Sequence, residues 1–287
     1  MKPLNLNSVL FNVAGLGLVV FLAGYMIQSA LKTETIPACS TRYGNGTQLS
    51  LQTGEGNPMT PIELQARLPS RAWGLLTNAR VVAAADKSPF LQVALGLSEE
   101  QKDREAKDPD EKVDRLQDGV GFLWRPQSIE NARAACLSYR VFLSKDFSFE
   151  GRGTLPGLYS VKDDADVDAS QPQQGFVSRL HWDQAGSMGT SVKTPLTAGH
   201  WLPARGTLWP VNRWISVEQE VVLNTPQKAD GIVRVWIDGE LKVENTALDL
   251  GAVEGSGLSG VVADIGAVDQ GKVAARITLS PFIVQVQ

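Results

Sequence analysis

Histidine and cysteine are scarce in this chain of 287 residues: it has only His181 and His200, and only Cys39 and Cys136. Two histidines do not make a multi-histidine zinc site, so neither a metal centre nor a cofactor is expected. Positive charge is concentrated nowhere and the net charge is −4, which removes the basic footprint of a nucleic-acid binder. Long helical patterns are almost missing after residue 31. What is present is 43% hydrophobic and 20% charged residues, enough apolar surface for a sizeable core and too much polar surface for a wholly membrane-embedded chain.

The strongest local signal is "SVLFNVAGLGLVVFLAGYMIQSAL", Ser8 to Leu31, which carries no charge. At ~1.5 Å per residue it is long enough to cross a hydrocarbon core of ~30 Å, so it reads as a single uncleaved transmembrane anchor. A cleaved signal peptide is the alternative, but no small-x-small site follows. Lys2 and the α-amine precede the span, while Lys32 and Glu34 cancel after it. This balance places residues 1–7 in the cytoplasm and the rest of the chain on the exported, periplasmic or extracytoplasmic side. In an oxidising compartment Cys39 and Cys136 can form one disulfide; the alternative is two unrelated buried thiols.

Residues 32–56 read as a linker and 57–287 as one globular domain. Thr60, Pro61 and Glu63 have the spacing of a helix N-terminus with a capping box. "NARVVAAA" and "FLQVALGL" read as strands. "SEEQKDREAKDPDEKVDRLQD", residues 98–118, reads as a charged, solvated insertion. Downstream, "LSYRVFLSKDF", "GFVSRLHW", "WISVEQEVVLN", "IVRVWIDGELKVEN" and "VAARITLSPFIVQVQ" alternate with period two and are rich in β-branched and aromatic residues. In the third of these, Ile215, Val217, Gln219, Val221 and Leu223 share the buried face, and Ser216, Glu218 and Glu220 share the wet one. Asp238-Gly239 marks a tight hairpin. The fold class expected is all-β, an antiparallel β-sandwich or jelly roll of concanavalin-like type behind the N-terminal membrane helix.

The segments "ACLSYRVFLSKDFSFEGRGTLPGLYS", "GFVSRLHWD" and "WISVEQEVVLNTPQKADGIVRVWIDGELKVEN" occur in this order from Cys136 to Asn245. Together they resemble polysaccharide lyase family fourteen, the alginate- and glucuronan-lyase-like jelly rolls, with their glycine-rich loop, arginine-bearing strand and paired strands. The resemblance implies β-elimination at a uronic-acid residue, in which a base takes the proton α to the carboxylate and an acid assists the leaving oxygen. It also implies a lysine just before Leu-Pro-Gly, a serine and an arginine two apart on the next strand, and two alternating tyrosines on the strand after it.

This chain departs from most of that set. Thr154 stands at the lysine position. Arg179 keeps the arginine, but Val177 precedes it by two and Ser178 points to the opposite face. "GSMGTSVKTP" has no tyrosine, and Val192 and Thr194 take those places, or Lys193 if the register slips by one. Lyase activity by the family route is therefore not expected. His181, two residues after Arg179 on the same strand face, gives with Tyr159 and Arg152 another polar cluster able to bind a carboxylate or to catalyse. The competing reading makes His181 a hydrogen-bonded structural histidine and pairs Arg179 with a carboxylate.

Asp164, Asp166 and Asp168 alternate as calcium ligands do, but Ala169 and Gly175 stand where such a loop needs glycine and glutamate. Trp201, Trp209 and Trp214, near Arg205 and Arg213, are either a sugar-stacking or docking surface or part of the core. The reading is an exported, membrane-anchored, non-catalytic lyase-like domain, a pseudoenzyme. Its candidate binding residues are Arg152, Thr154, Tyr159, Arg179, His181 and Lys193, and its partners an acidic polysaccharide or a membrane complex that it serves as accessory subunit. The alternative is a divergent lyase using Arg179, His181 and Tyr159.

Overall fold

The period-two segments close into two antiparallel sheets packed face to face. The structure, a computed structural model, describes residues 36–68, 71–95, 119–149, 151–267 and 275–287. The apolar span at 8–31, its leader 1–7 and the charged insertion at 98–118 lie outside the described residues, among which no helix is long and apolar enough to cross a membrane.

In chain order the strands are β1 (Gly46–Gln48), β2 (Ala72–Trp73), β3 (Ala79–Ala83), β4 (Pro89–Leu95), β5 (Gly121–Trp124) and β6 (Ala134–Leu143). Then come β7 (Gly153–Leu155), β8 (Gly157–Ser160), β9 (Phe176–Trp182), β10 (Ser187–Thr194), β11 (Thr197–Leu208) and β12 (Trp214–Val222). The last are β13 (Gly231–Ile237), β14 (Glu240–Leu248), β15 (Gly260–Val262), β16 (Gly266–Ala267), β17 (Ala275–Leu279) and β18 (Ile283–Val286). One sheet runs β14-β13-β12-β6-β17-β4-β3, with β18 beside β6 and β1 on β18. The other, the site sheet, runs β11-β10-β9-β8-β15-β5-β2, with β7 on β9 and β16 on β7. Leu137, Val217 and Val235 of the first sheet meet Phe122, Phe176 and Leu180 of the second in the core.

Local signals behave as their chemistry requires. Thr60 and Glu63 form a reciprocal capping box at the helix Pro61–Ala66, where Glu63 accepts from the Thr60 amide at 2.8 Å. Asp238 and Gly239 turn β13 into β14 with φ of 51° and 80°. Only backbone that tolerates positive φ closes a two-residue hairpin this tightly.

Two expectations fail for one reason. The stretch read as linker is part of the domain from Pro37 onward, and Glu220, read as wet, is buried. Residues 38–43 fold across the outer face of β12 and cover it. A disulfide ties Cys39 to Cys136 on β6, across 97 residues. Ser40 donates to Glu218 through its amide and its hydroxyl, at 2.8 and 2.9 Å. Tyr43 Oη and Arg42 both donate to Glu220, at 2.8 and 2.9 Å, and Arg234 of β13 does so at 3.0 Å. Burial opposes the charge on Glu220, but these three donors outweigh it and hold the carboxyl below its usual range. Farther on, β1 pairs with β18 and buries Leu49 and Leu51.

One irregularity shapes the site sheet. β9 pairs with β7 through Leu155↔Leu180 and with β8 through Tyr159↔Val177, so the strand pair β7–β8 carries one residue too many, a bulge at Pro156–Leu158. Proline has no N–H, and the Leu158 N–H is satisfied from the facing sheet by Gln219 Oε1 at 2.8 Å. Gln219 Nε2 donates to Ser178 Oγ at 2.8 Å, and Tyr139 Oη donates to the Pro156 carbonyl at 3.1 Å. Gly157 passes so close to β9 that a Cβ there would lie 2.1 Å from the Ser178 carbonyl oxygen.

Removing the disulfide by Cys39→Ala with Cys136→Ala is expected to lower unfolding stability by about 2–5 kcal/mol, because the bridge closes a long loop. Urea denaturation of the oxidised chain and the double variant measures it; coincident midpoints would show that Glu218, Glu220 and their partners hold the segment unaided.

Candidate functional site

Cross-strand pairing decides which side chains share the open face of the site sheet, since directly paired residues point the same way. His181 pairs with Thr154 on β7 and with Gly189 on β10. Arg179 pairs with Ser191, and Ser191 with Trp201 on β11. Val177 lies between Tyr159 and Lys193. The open face therefore carries Thr154, Tyr159, Arg179, His181, Ser191, Lys193 and Trp201. Val192 and Thr194, expected at the tyrosine places, are 0% and 3% exposed in the core, so the register is the one that puts Lys193 outward. Ser178 points inward, as the alternation required.

Arg179 is not available as a lone cation. Its Nε donates to Asp264 Oδ2 at 2.8 Å, and its Nη2 donates to the Val167 carbonyl at 3.1 Å. Asp264 also takes Arg71, at 3.1 Å, and Arg71 forks onto Asp168 through Nε at 2.8 Å and through Nη2. Lys193 Nζ donates to the Ala169 carbonyl at 3.0 Å; burial first, then the field of Arg179, lowers its pKa. Burial works against the charged form of Asp168, yet the hydrogen bonds and charge of Arg71 outweigh it and hold that carboxyl below its usual range.

His181 Nε2 lies 2.6 Å from Ser191 Oγ. Burial, and after it the charge of Arg179, lowers its pKa to about 4, with Lys193 and Arg152 adding to the push and a backbone hydrogen bond at Gly153 opposing it. The imidazole is neutral at pH 7, where its Nε2 can accept from the serine hydroxyl. Tyr159 is fully buried and accepts at its Oη from Arg125 Nε at 2.8 Å. Burial raises its pKa more than Arg125 lowers it, so no phenolate forms near neutral pH. Arg152 is exposed at the turn before β7. Thus the structure brings Thr154, His181 and Ser191 together, sets Arg179 and Lys193 in a covered cluster, and ties Tyr159 into the wall.

The aspartates read against calcium all have protein partners. Asp164 meets Arg125, Asp166 accepts from the Gln173 amide at 3.2 Å, and Asp168 meets Arg71. Of the three tryptophans, Trp209 is buried with Nε1 donating to the His181 carbonyl at 3.0 Å, and Trp214 packs on Phe90 and Phe142. Trp201 alone stays exposed, at 42%, with its edge against His181 at a centroid distance of 5.9 Å. It leans over Gly189, where a Cβ would approach its ring to 2.4 Å.

Sequence reasoning missed Arg71, Asp264, Arg125 and Ser191. Ser191 was legible: it is odd-numbered like Lys193 and so shares its face. The others had no local signal, for Arg71 and Asp264 are 193 residues apart.

A family model for polysaccharide lyase 14 matches residues 105–265 of the chain. Among solved structures, a marine alginate lyase of that family from Aplysia kurodai superposes with a TM-score of 0.66 at 19% identity, covering 85% of this chain and 100% of its own. An alginate lyase from Chlorella virus gives 0.59 at 14%, covering 76% and 91%. The alginate lyase Aly36B, in a variant complexed with alginate trisaccharide, gives 0.58 at 11%, covering 85% and 99%. The likeness to these structures is one of fold. No curated protein sequence matches the chain.

A histidine held neutral makes stability depend on pH with a known sign. The folded pKa of about 4 lies below the ordinary 6.5, so the unfolded chain binds the proton first. This contribution is complete above about pH 6.5 and is lost as pH falls toward 4. Unfolding stability is expected to drop by about 2 kcal/mol between pH 7 and pH 5, and His181→Asn to flatten that slope, in urea titrations at the two pH values.

Proposed function

The chain belongs to the polysaccharide lyase 14 family, and from this premise we propose that it is a non-catalytic binding domain, exported and held at the membrane by the apolar span at 8–31. The observation that carries the reading is Arg179, whose charge is met by Asp264 and whose Nη2 also donates to the Val167 carbonyl. An arginine so engaged does not neutralise the carboxylate of a uronate in a transition state without first giving up that partner. Thr154 adds neither charge nor a titratable group. His181, at about 4, is a poor match to a base working at neutral pH. The disulfide supports an oxidising, extracytoplasmic location.

The partner is an acidic polysaccharide, or a membrane complex to which the domain is an accessory subunit. Alginate oligosaccharide bound by a structural neighbour favours the first. A second reading, a divergent lyase cleaving a uronate polymer, draws on family membership and on the contact of His181 with Ser191 beside Thr154.

Two measurements separate these readings. Purified full-length chain mixed with alginate, glucuronan and other uronate polymers is expected to give none of the ultraviolet absorbance of an unsaturated uronate. A signal abolished by His181→Gln would establish the divergent lyase instead. Purification in mild detergent is expected to bring a stoichiometric membrane partner if the domain is an accessory subunit. A partner-free monomer would eliminate that version.

A further inference from the structure

Residues 163–169 cross the open face of the site sheet as one short turn, Asp164–Val167, begun by Asp163, whose side chain accepts from the Ala165 amide. The last residue of the turn and the two after it meet the cations of that face one by one. The Val167 carbonyl accepts from Arg179 at 3.1 Å, the Asp168 carboxylate receives the Arg71 fork, and the Ala169 carbonyl accepts from Lys193 at 3.0 Å. Asp168 is also 3.9 Å from Arg179. Three consecutive residues thus cover three basic side chains drawn from three separate parts of the sequence.

The turn is anchored by Val167, fully buried in an apolar patch with Leu123, Tyr159, Val161, Val177 and Val262. Asp168 itself is 62% exposed, while Arg71 and Arg179 beneath it are 13% and 8% exposed. A solvated carboxylate is therefore seated on two arginines that it screens from water. Beneath them Asp264 is one carboxylate against Arg71, Arg179 and Lys193, so Asp168 answers a charge that the floor leaves unbalanced. The Arg71 guanidinium meets it with two donors, the geometry that suits a planar two-oxygen anion.

We propose that Arg71, with Arg179 and Lys193 beside it, forms a carboxylate-binding site that the chain keeps closed with its own Asp168, which occupies the place of the carboxylate of an acidic sugar. The inference rests on the reading of the domain as a binding module and names its ligand chemistry: a carboxylate-bearing glycan that must displace the 163–169 turn. Affinity in the unmodified chain is reduced by the fraction of molecules in which the turn is open. A neutral sugar has no carboxylate to replace that of Asp168 on the arginines that the turn uncovers when it opens.

The test is calorimetric titration of the full chain in detergent with alginate tetrasaccharide and with its carboxyl-reduced, neutral counterpart. Asp168→Asn, which keeps the shape and removes the charge, is expected to bind the acidic sugar about tenfold more tightly than the unmodified chain. The gain should vanish when Arg71→Gln is added and should be missing for the neutral sugar. Equal affinity of the unmodified chain and a folded Asp168→Asn chain overturns the proposal, as does a gain that survives Arg71→Gln or extends to the neutral sugar. Hydrogen exchange on the unmodified chain is an independent readout: saturating acidic sugar should speed exchange of the amides from Ala165 to Ala169, and unchanged or slower exchange overturns displacement. Ultraviolet absorbance followed in the same samples keeps the two readings apart. Unsaturated product would overturn the non-catalytic reading and leave the closed site standing, whereas failure of Asp168→Asn to gain affinity removes the closed site alone.

Discussion

Gln219 is the side chain on which the geometry of the site sheet depends. A proline in a strand removes one ladder hydrogen bond, and the extra residue beside it leaves the next N–H without a partner in its own sheet. Buried in a sandwich, that N–H would cost about 1–3 kcal/mol if left unmet. Gln219 reaches across the core to accept from Leu158 and spends its amide hydrogens on Ser178 and Thr190, so the bulge is satisfied without water. The bulge then sets the phase of β7 against β8, and that phase puts Thr154 and Tyr159 on the same face as Arg179 and His181.

On that face charge is arranged around Asp264. It is the inner carboxylate shared by Arg71 from before β2 and Arg179 from β9; Asp264 itself follows β15, which β8 separates from β9 in the sheet. A pair so buried contributes little net stability, since desolvation opposes attraction, but removing one member leaves an uncompensated charge. The arrangement fixes Arg179 in one orientation and exports its positive field sideways, onto His181. The histidine is neutral first because it is buried, and the positive charge of Arg179 adds to that effect.

The period-two pattern made most of the strands legible, because one face of each packs on a single core and hydrophobic side chains follow it. Asp238-Gly239 and the Thr60–Glu63 pair were legible because their partners are adjacent in sequence. Glu220 was not, for the tyrosine that buries it stands 177 residues away. The phase of β10 was ambiguous because Thr190 and Thr194, polar in composition, are buried, while Ser191 and Lys193 opposite them are also polar. Arg179 was rightly weighed as a candidate to pair with a carboxylate; that the carboxylate would be Asp264, 85 residues on, depended on strand order, which alternation does not encode.

Strand β18 lies between β6 and β1, with Gln285 opposite both Cys136 and Gly46. The segment carrying the first cysteine thus finds its sheet partner only when the residues near position 285 have been made. Until then Leu49 and Leu51 have no β18 to pack against, and the two thiols must meet without that guide. Such long-range closure is slow, and it is a stage at which exposed strand edges can join wrongly. For a chain made from its amino end, closure of the sandwich waits on β18, and oxidation of Cys39 and Cys136 is most safely the event that follows that closure rather than precedes it.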